Sequence, residues 1–209
     1  VKNLLLIGGG GHCRSCIDVI EAEAVYGVIG IVESADHGGQ GEVLGYPVVG
    51  TDEDLPKLLG DEVEVMVTLG QIKTPEPRRR LVQRLKSLGA RFATCVSPLA
   101  RVSPHARLGE GTMVMHGALV NAGAEVGEHC ILNSASLVEH DALLLDFVHL
   151  STGAIVNGGV KVGSGTFLGS KTTTREYIEI GCDNVICAGS VVLGALPDRT
   201  KASSRVVGR

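Results

Sequence analysis

Residues 124–162 read AEVGEHCILNSASLVEHDALLLDFVHLSTGAIVNGGVKV, and a large aliphatic returns in this stretch at every sixth position: Val126, Leu132, Val138, Leu144, Leu150, Val156 and Val162. Followed outward, the period begins at Val96, passes Val102, Leu108, Val114 and Val120, and continues through Leu168, Thr174, Ile180 and Ile186 to Val192. Sixteen of the seventeen positions are aliphatic, with Thr174 as the lapse. Two residues before most of them stands a small side chain, as at Ala118, Ala124, Cys130, Ser136, Ala142 and Ala154, and glycine recurs just after at Gly109, Gly127, Gly163, Gly169 and Gly181. One large aliphatic, one small inward residue and a turn-permitting glycine per hexad is the signature of a parallel β-helix, in which each repeat buries its apolar face only by stacking on its neighbours. The lapse at Thr174, inside residues 171–177, predicts a distorted coil or a short loop.

The composition agrees with a narrow core. Of 209 residues, 29 are glycine, none is tryptophan, and tyrosine and phenylalanine number three each. Glycine thus stands at about twice its usual share of about 7%. So few aromatics argue against a base-stacking surface, and a net charge of −4 supplies no basic footprint, so no nucleic-acid partner is expected. No apolar run approaches the roughly 20 residues of a membrane span, and the chain runs straight into a strand-like segment without a signal-peptide layout. The expectation is a cytoplasmic protein with no membrane partner. Its six cysteines are then expected as free thiols. The Cys13-x-x-Cys16 pair lacks the second pair that a zinc site of this kind needs.

Before residue 96 the pattern changes to strands alternating with helices, which implies a parallel sheet with right-handed crossovers. Strands are predicted over 2–7, 28–32, 63–69 and 91–96, and helices over 14–25 and 77–88. Thr51 followed by Asp54 reads as a helix N-cap with an acidic first turn, after a glycine-rich loop. The division is therefore a Rossmann-like α/β half-domain over 1–95 and a β-helix over 96–209. The loop Gly8-Gly9-Gly10-Gly11-His12 lacks the third glycine of a dinucleotide fingerprint, and four strands do not make both halves of such a domain. It suffices for one nucleotide diphosphate at the N-terminus of the following helix. Arg78, Arg79 and Arg80 read as a solvated helix face from which one arginine could reach phosphate.

Of seven histidines, His37, His105, His116 and His129 read as surface or turn imidazoles. His140 carries a carboxylate on each side, Glu139 and Asp141, which suits a general base held in one tautomer. Gly158 follows three hexads later, and the Asn157-Gly158-Gly159 run offers bare amides for an oxyanion.

Taken together, the glycine loop with His12, residues 131–141, the run 146–153 with His149 at the ninth position after His140, and the hexads resemble the bacterial sugar acetyltransferases of the sialic-acid O-acetyltransferase (NeuD) type. That family includes N-acetyltransferases acting on nucleotide-linked 4-amino sugars in bacillosamine and perosamine pathways. The resemblance implies a left-handed β-helix of three hexads per coil, a homotrimer with active sites between subunits, and acetyl-CoA as cosubstrate without a metal. It implies His140 as catalytic base oriented by Asp141, with Asn133, Glu139 and His149 lining the site. His149 is assigned to the cofactor side, and Gly158 meets the thioester oxygen. Gly10, Gly11 and His12 would face the diphosphate, Glu33 the ribose or base, and Gly70 and Gln71 the nucleotide sugar. The tail departs from the Gly-x-Pro-Ala-Lys ending of many hexapeptide acetyltransferases, but Arg199, Lys201, Arg205 and Arg209 are candidates for the CoA phosphates. The expected activity is acetyl transfer to the amine of a UDP- or GDP-linked amino sugar. Three rivals stay open: O-acetylation of sialic acid or another hydroxyl, a zinc-dependent carbonic-anhydrase-like enzyme that needs three converging histidines, and a non-catalytic nucleotide-sugar scaffold.

Overall fold

The computed structural model describes residues 1–37, 41–203 and 206–208. Its contacts group into two compact units. One comprises Val1–Gly70 with Glu76–Val96, the other Gln71–Pro75 with Ser97–Arg209. The short run Gln71–Pro75, counted with the first domain on sequence, thus packs with the second.

In the first unit, four consecutive buried aliphatics from Leu4 to Ile7 make β1 (Lys2–Ile7) a strand covered on both faces. It is flanked by β2 (Tyr26–Glu33) and β5 (Val63–Val67), both parallel to it. With β3 (Glu42–Val43), β4 (Tyr46–Thr51) and β6 (Arg91–Phe92), the sheet order is β3-β4-β2-β1-β5-β6. Helices α1 (Gly11–Glu23) and α3 (Glu76–Ser87) supply buried faces through Cys13, Cys16, Ile17 and Ile20, and through Val82 and Leu85. The short helix α2 (Leu55–Leu58) follows a capping box in which the Thr51 amide and hydroxyl donate to Asp54 Oδ2 at 3.0 and 3.3 Å. Two strands, β3 and β4, lie where the sequence predicts a glycine-rich loop. Pro47 and Gly50 interrupt the alternation that would reveal β4, and β3 pairs antiparallel beside it, with Pro47 opposite Glu42. Proline is tolerated there because the pairing is with a two-residue edge strand.

The second unit is a left-handed parallel β-helix. Each rung is a two-residue strand whose second residue is the hexad anchor, and rungs pair in parallel one coil apart, as Leu119 with Leu137 and Leu137 with Ile155. Anchors from Val114 to Val192 are buried, and so is the small-residue track from Thr112 through Ala118, Ala124 and Cys130 to Ser190. The turn chemistry differs from the expectation. A left-handed φ of +53° to +76° recurs once per hexad from Gly111 to Gly189, and half of these fourteen positions are not glycine, among them His129, Asp141 and Tyr177. The glycines flagged by periodicity serve close approach instead: a Cβ on Gly163 would stand 2.5 Å from the Cys182 amide nitrogen, and one on Gly109 2.5 Å from the Gly127 carbonyl carbon. No loop or extra residue appears at Thr174. It is the second residue of an ordinary rung, Thr173–Thr174, and is 1% exposed. The irregularity is confined to hydrogen bonding: Ile155 pairs with Thr173, while the Val156–Thr174 pair is replaced by bonds between Asn157 and Thr174. No helix among the described residues is long and apolar enough to cross a membrane.

Candidate active site

The corner between the rungs Leu137–Val138 and Leu143–Leu144 carries Glu139, His140 and Asp141. His140 Nδ1 lies 2.9 Å from Asp141 Oδ2. An ionised carboxylate only accepts, so Nδ1 carries the proton and Nε2 is left with its lone pair. The backbone sets this pair: Asp141 occupies a left-handed turn position, φ +58°, which carries its side chain toward the coil before, where a Cβ on Gly123 would meet it. The His140 ring leans the other way, onto the next coil. A Cβ on Gly158 would stand 2.6 Å from His140 Nε2. Glu139 Oε2 is engaged by Asn121 Nδ2 at 2.7 Å and by the His140 amide at 3.3 Å. Glu139 therefore braces the turn, and the imidazole side chain is oriented by Asp141.

Of the three amides in the Asn157–Gly159 run, two are spent. Asn157 N–H donates to Thr174 Oγ1 at 3.0 Å and Gly159 N–H to the His140 carbonyl at 3.0 Å. The Gly158 N–H donates to no acceptor among the described residues, and it belongs to the residue directly beneath the imidazole. One base and one open amide are thus stacked in adjacent coils. The Tyr177 ring, 74% exposed, lies across Gly159 in the following coil, where a Cβ would meet it. Asn121 and Tyr177 also stand at this corner and are not singled out by the sequence reading, which marks Thr174 only as a lapse in the period. The available signal was arithmetic: Asn121 precedes Glu139 by three hexads, and Tyr177 follows Gly159 by the same interval.

Two expected members stand elsewhere in the coil. Asn133 follows the rung Ile131–Leu132 at a different corner, and its Oδ1 accepts the Ser134 amide at 2.8 Å. His149 is on the rung His149–Leu150, 5% exposed, edge-on to Phe167 at 5.1 Å, with Nδ1 bonded to the Gln71 carbonyl. Gln71 itself is 2% exposed, and its Nε2 donates to the carbonyls of Phe147 at 2.8 Å and Gly165 at 3.0 Å. Both amide protons of the Gln71 side chain are therefore taken by the β-helix, and within this chain His149 and His140 do not meet at one corner.

In the first unit, Gly8, Gly9 and Gly10 line a cavity of about 370 Å³ at the carboxyl ends of the parallel strands, together with Glu33, Asp52 and Leu69. Helix α1 starts at Gly11 without a capping side chain, its Cys13 amide donating to the Gly10 carbonyl at 3.0 Å, and a helix N-terminus of this kind favours an anion. A Cβ on Gly10 or Gly11 would meet nothing within 4 Å, whereas one on Gly9 would collide with the Glu33 carboxylate. The loop thus brings Glu33 over its own backbone. Gly70 lies against His12, 3.5 Å from its Cβ for an added methyl. Arg78 is not on a solvated face. It is 1% exposed, and Nη1 donates to the carbonyls of Val67 at 2.8 Å and Leu69 at 2.7 Å, tying down the end of β5.

His129 is a turn imidazole, φ +55°, but not a surface one. It is 1% exposed and stacked on Phe147 with centroids 5.2 Å apart. With Glu110 and Glu128 it forms a group whose potential ligand atoms lie within 4.8 Å of one another, one imidazole against the three that the zinc reading requires. All six cysteines are free. Burial pushes the thiols of Cys13, Cys16 and Cys95 up, so the Cys13-x-x-Cys16 pair is inert packing. In the tail, Arg199 and Lys201 are described, while Arg205 and Arg209 lie outside the described residues.

Residues 3–85 match the family model of the PglD N-terminal domain. A mutant of perosamine N-acetyltransferase from Caulobacter crescentus, solved with CoA and GDP-perosamine, is 34% identical over 95% of this chain and 91% of that one, with a TM-score of 0.88. The acetyltransferase domain of PglB from Neisseria gonorrhoeae in complex with acetyl coenzyme A is 33% identical over 94% of this chain and 93% of that one, TM-score 0.85. WeeI from Acinetobacter baumannii, 18% identical over 95% and 94%, shares the fold with a TM-score of 0.84.

Proposed function

The chain belongs to the bacterial hexapeptide-repeat sugar N-acetyltransferases, and on that premise we propose that it moves the acetyl group of acetyl-CoA onto the amine of a nucleotide-linked amino sugar with His140 as general base. The carrying observation is the stack of His140 Nε2 over the open Gly158 amide, with Asp141 fixing the tautomer from the far side of the ring. The amine nitrogen attacks the thioester carbonyl, a C–N bond forms, and the carbonyl π electrons move onto oxygen, the oxyanion accepting a hydrogen bond from the Gly158 N–H. His140 Nε2 takes the proton released by the amine. Collapse of the tetrahedral species breaks the C–S bond, and the imidazolium returns the proton to the departing CoA sulfur. No acyl-enzyme is needed, since both substrates meet in one complex.

The glycine loop and α1 N-terminus suit the diphosphate, and Glu33 suits a ribose or base. A homotrimer is part of the reading. His140 and His149 occupy different corners of one chain, so a site lined by both takes one from each of two copies. A cytoplasmic location belongs to the same reading. Replacing His140 by Ala should lower kcat by roughly two to four orders of magnitude with acetyl-CoA and GDP- or UDP-linked 4-amino sugars, measured as CoA thiol release. A fully active variant overturns the assignment, and a faster reaction with sialic acid than with any amino sugar overturns the choice of acceptor.

A further inference from the structure

At the His140 corner, the amide following each anchor donates to the anchor carbonyl one coil on: Ser103 to Val120, Asn121 to Val138 and Glu139 to Val156, each at 2.9 Å, and Arg175 to Val192 at 2.7 Å. Asn157 breaks the series. Its N–H goes to the Thr174 hydroxyl at 3.0 Å, and the Thr174 carbonyl is taken by Asn157 Nδ2 at 2.7 Å. This departure falls at the one anchor that is not aliphatic, and at the residue whose carbonyl shares a peptide plane with the Gly158 N–H.

We infer that Thr174 is a positioning residue for acetyl transfer, clamping Asn157 at backbone and side chain so that the Gly158 amide points to where the oxyanion develops. The inference rests on the role given to Gly158 above. Glycine has no side chain by which it can be held, and its backbone is the most permissive of any residue. An amide donor is useful in the transition state only if its direction is fixed beforehand. The fixing here comes from the neighbour, whose two hydrogen bonds to one buried threonine leave Asn157 a single arrangement. Valine at position 174 would fill the same space. It would also let Asn157 N–H join the ordinary ladder through the residue 174 carbonyl, turning the Asn157–Gly158 peptide plane.

The test is steady-state kinetics and thermal unfolding of Thr174→Val and Thr174→Ser, with His140→Ala alongside, on acetyl-CoA and the amino-sugar acceptor. Thr174→Val is expected to keep or raise the melting temperature and keep both KM values while kcat falls about 10- to 100-fold, the cost of a misdirected donor. Thr174→Ser, which keeps the hydroxyl, should stay within about threefold of the parent kcat, far from the loss of a donor. If Thr174→Val fails to fold, Asn157→Ala removes the side-chain arm alone and should lower kcat about tenfold. Full kcat in Thr174→Val, or in Asn157→Ala where that stands in, beside an inactive His140→Ala overturns the positioning role and leaves the general base standing. Equal losses in the Val and Ser variants also overturn it. Activity surviving in His140→Ala overturns the underlying reading and this inference with it.

Discussion

Gly158→Ala separates folding from catalysis at the candidate site. Gly158 is outside the left-handed region, so alanine meets no backbone penalty. Its methyl would stand 2.6 Å from His140 Nε2 and 2.8 Å from Cε1. An ordinary contact needs about 3.5 Å, so the ring must retreat by about 0.9 Å. It can do so cheaply, because the side chain is 54% exposed and its partner Asp141 72% exposed. An exposed pair of this kind contributes about 0–1 kcal/mol, and Gly→Ala at a permissive site returns about 0.4–1 kcal/mol through the unfolded chain. The melting temperature should therefore stay within about 3 °C of the parent. Catalysis is not so forgiving. A displacement of about 1 Å costs on the order of 100-fold, or about 2.7 kcal/mol of barrier, and the methyl also crowds the open amide. Thiol release from acetyl-CoA under saturating acceptor should show kcat down about 100-fold, with the acceptor KM little changed because the glycine loop lies in the other unit. A variant that folds normally and turns over at the parent rate would refute the stacked base-and-amide arrangement.

Two further outcomes test the first unit. Arg78→Met leaves the carbonyls of Val67 and Leu69 without their charged donor and should cost about 3 kcal/mol, lowering the melting temperature by roughly 6–12 °C if the chain of 209 residues melts as one unit. Glu23 accepts the Val96 amide at 3.2 Å, and burial raises its carboxyl above the ordinary 4.5. The folded protein then holds this proton more tightly than the unfolded chain, so stability falls as pH rises from about 4.5 through the raised value. Glu23→Gln should flatten that slope in melting temperature against pH, and an unchanged slope would assign it to other groups.

The β-helix was legible because its rule is one-dimensional: stacking at a fixed interval forces the same residue class to return at Val126, Val138 and Val156. Its turn column was not, since a left-handed φ is met by glycine at one coil and by His129 or Asp141 at another, and a mixed column shows no period. In the first unit, β4 was hidden by Pro47 and Gly50, which a half-buried strand beside a short edge strand can accept. The charge run from Arg78 to Arg80 misled for a related reason, because whether a guanidinium is solvated depends on which carbonyls end above it. At the site, Glu139, His140 and Asp141 are neighbours in sequence and stand out there. The role of Asn157 and Thr174 depends on which of two acceptors one amide chooses, a matter that no residue pattern records.

The anchor ladder poses a problem of alignment. Displaced by a whole coil, its leucines, valines and isoleucines would still meet leucines, valines and isoleucines, so hydrophobic burial discriminates weakly between the native stack and one slipped by a full turn of the prism. Side-chain bonds made at some coils and not at others break this degeneracy. Thr112 Oγ1 accepts the Cys130 amide at 3.0 Å, Thr166 Oγ1 the Asn184 amide at 3.1 Å, and Asn121 reaches Glu139. A slip would pair Asn157 with Val192 in place of Thr174 and strand a buried hydroxyl. The polar rung that serves the amide at Gly158 therefore also acts as an index mark, by which a folding chain of near-identical turns can tell one alignment from the next.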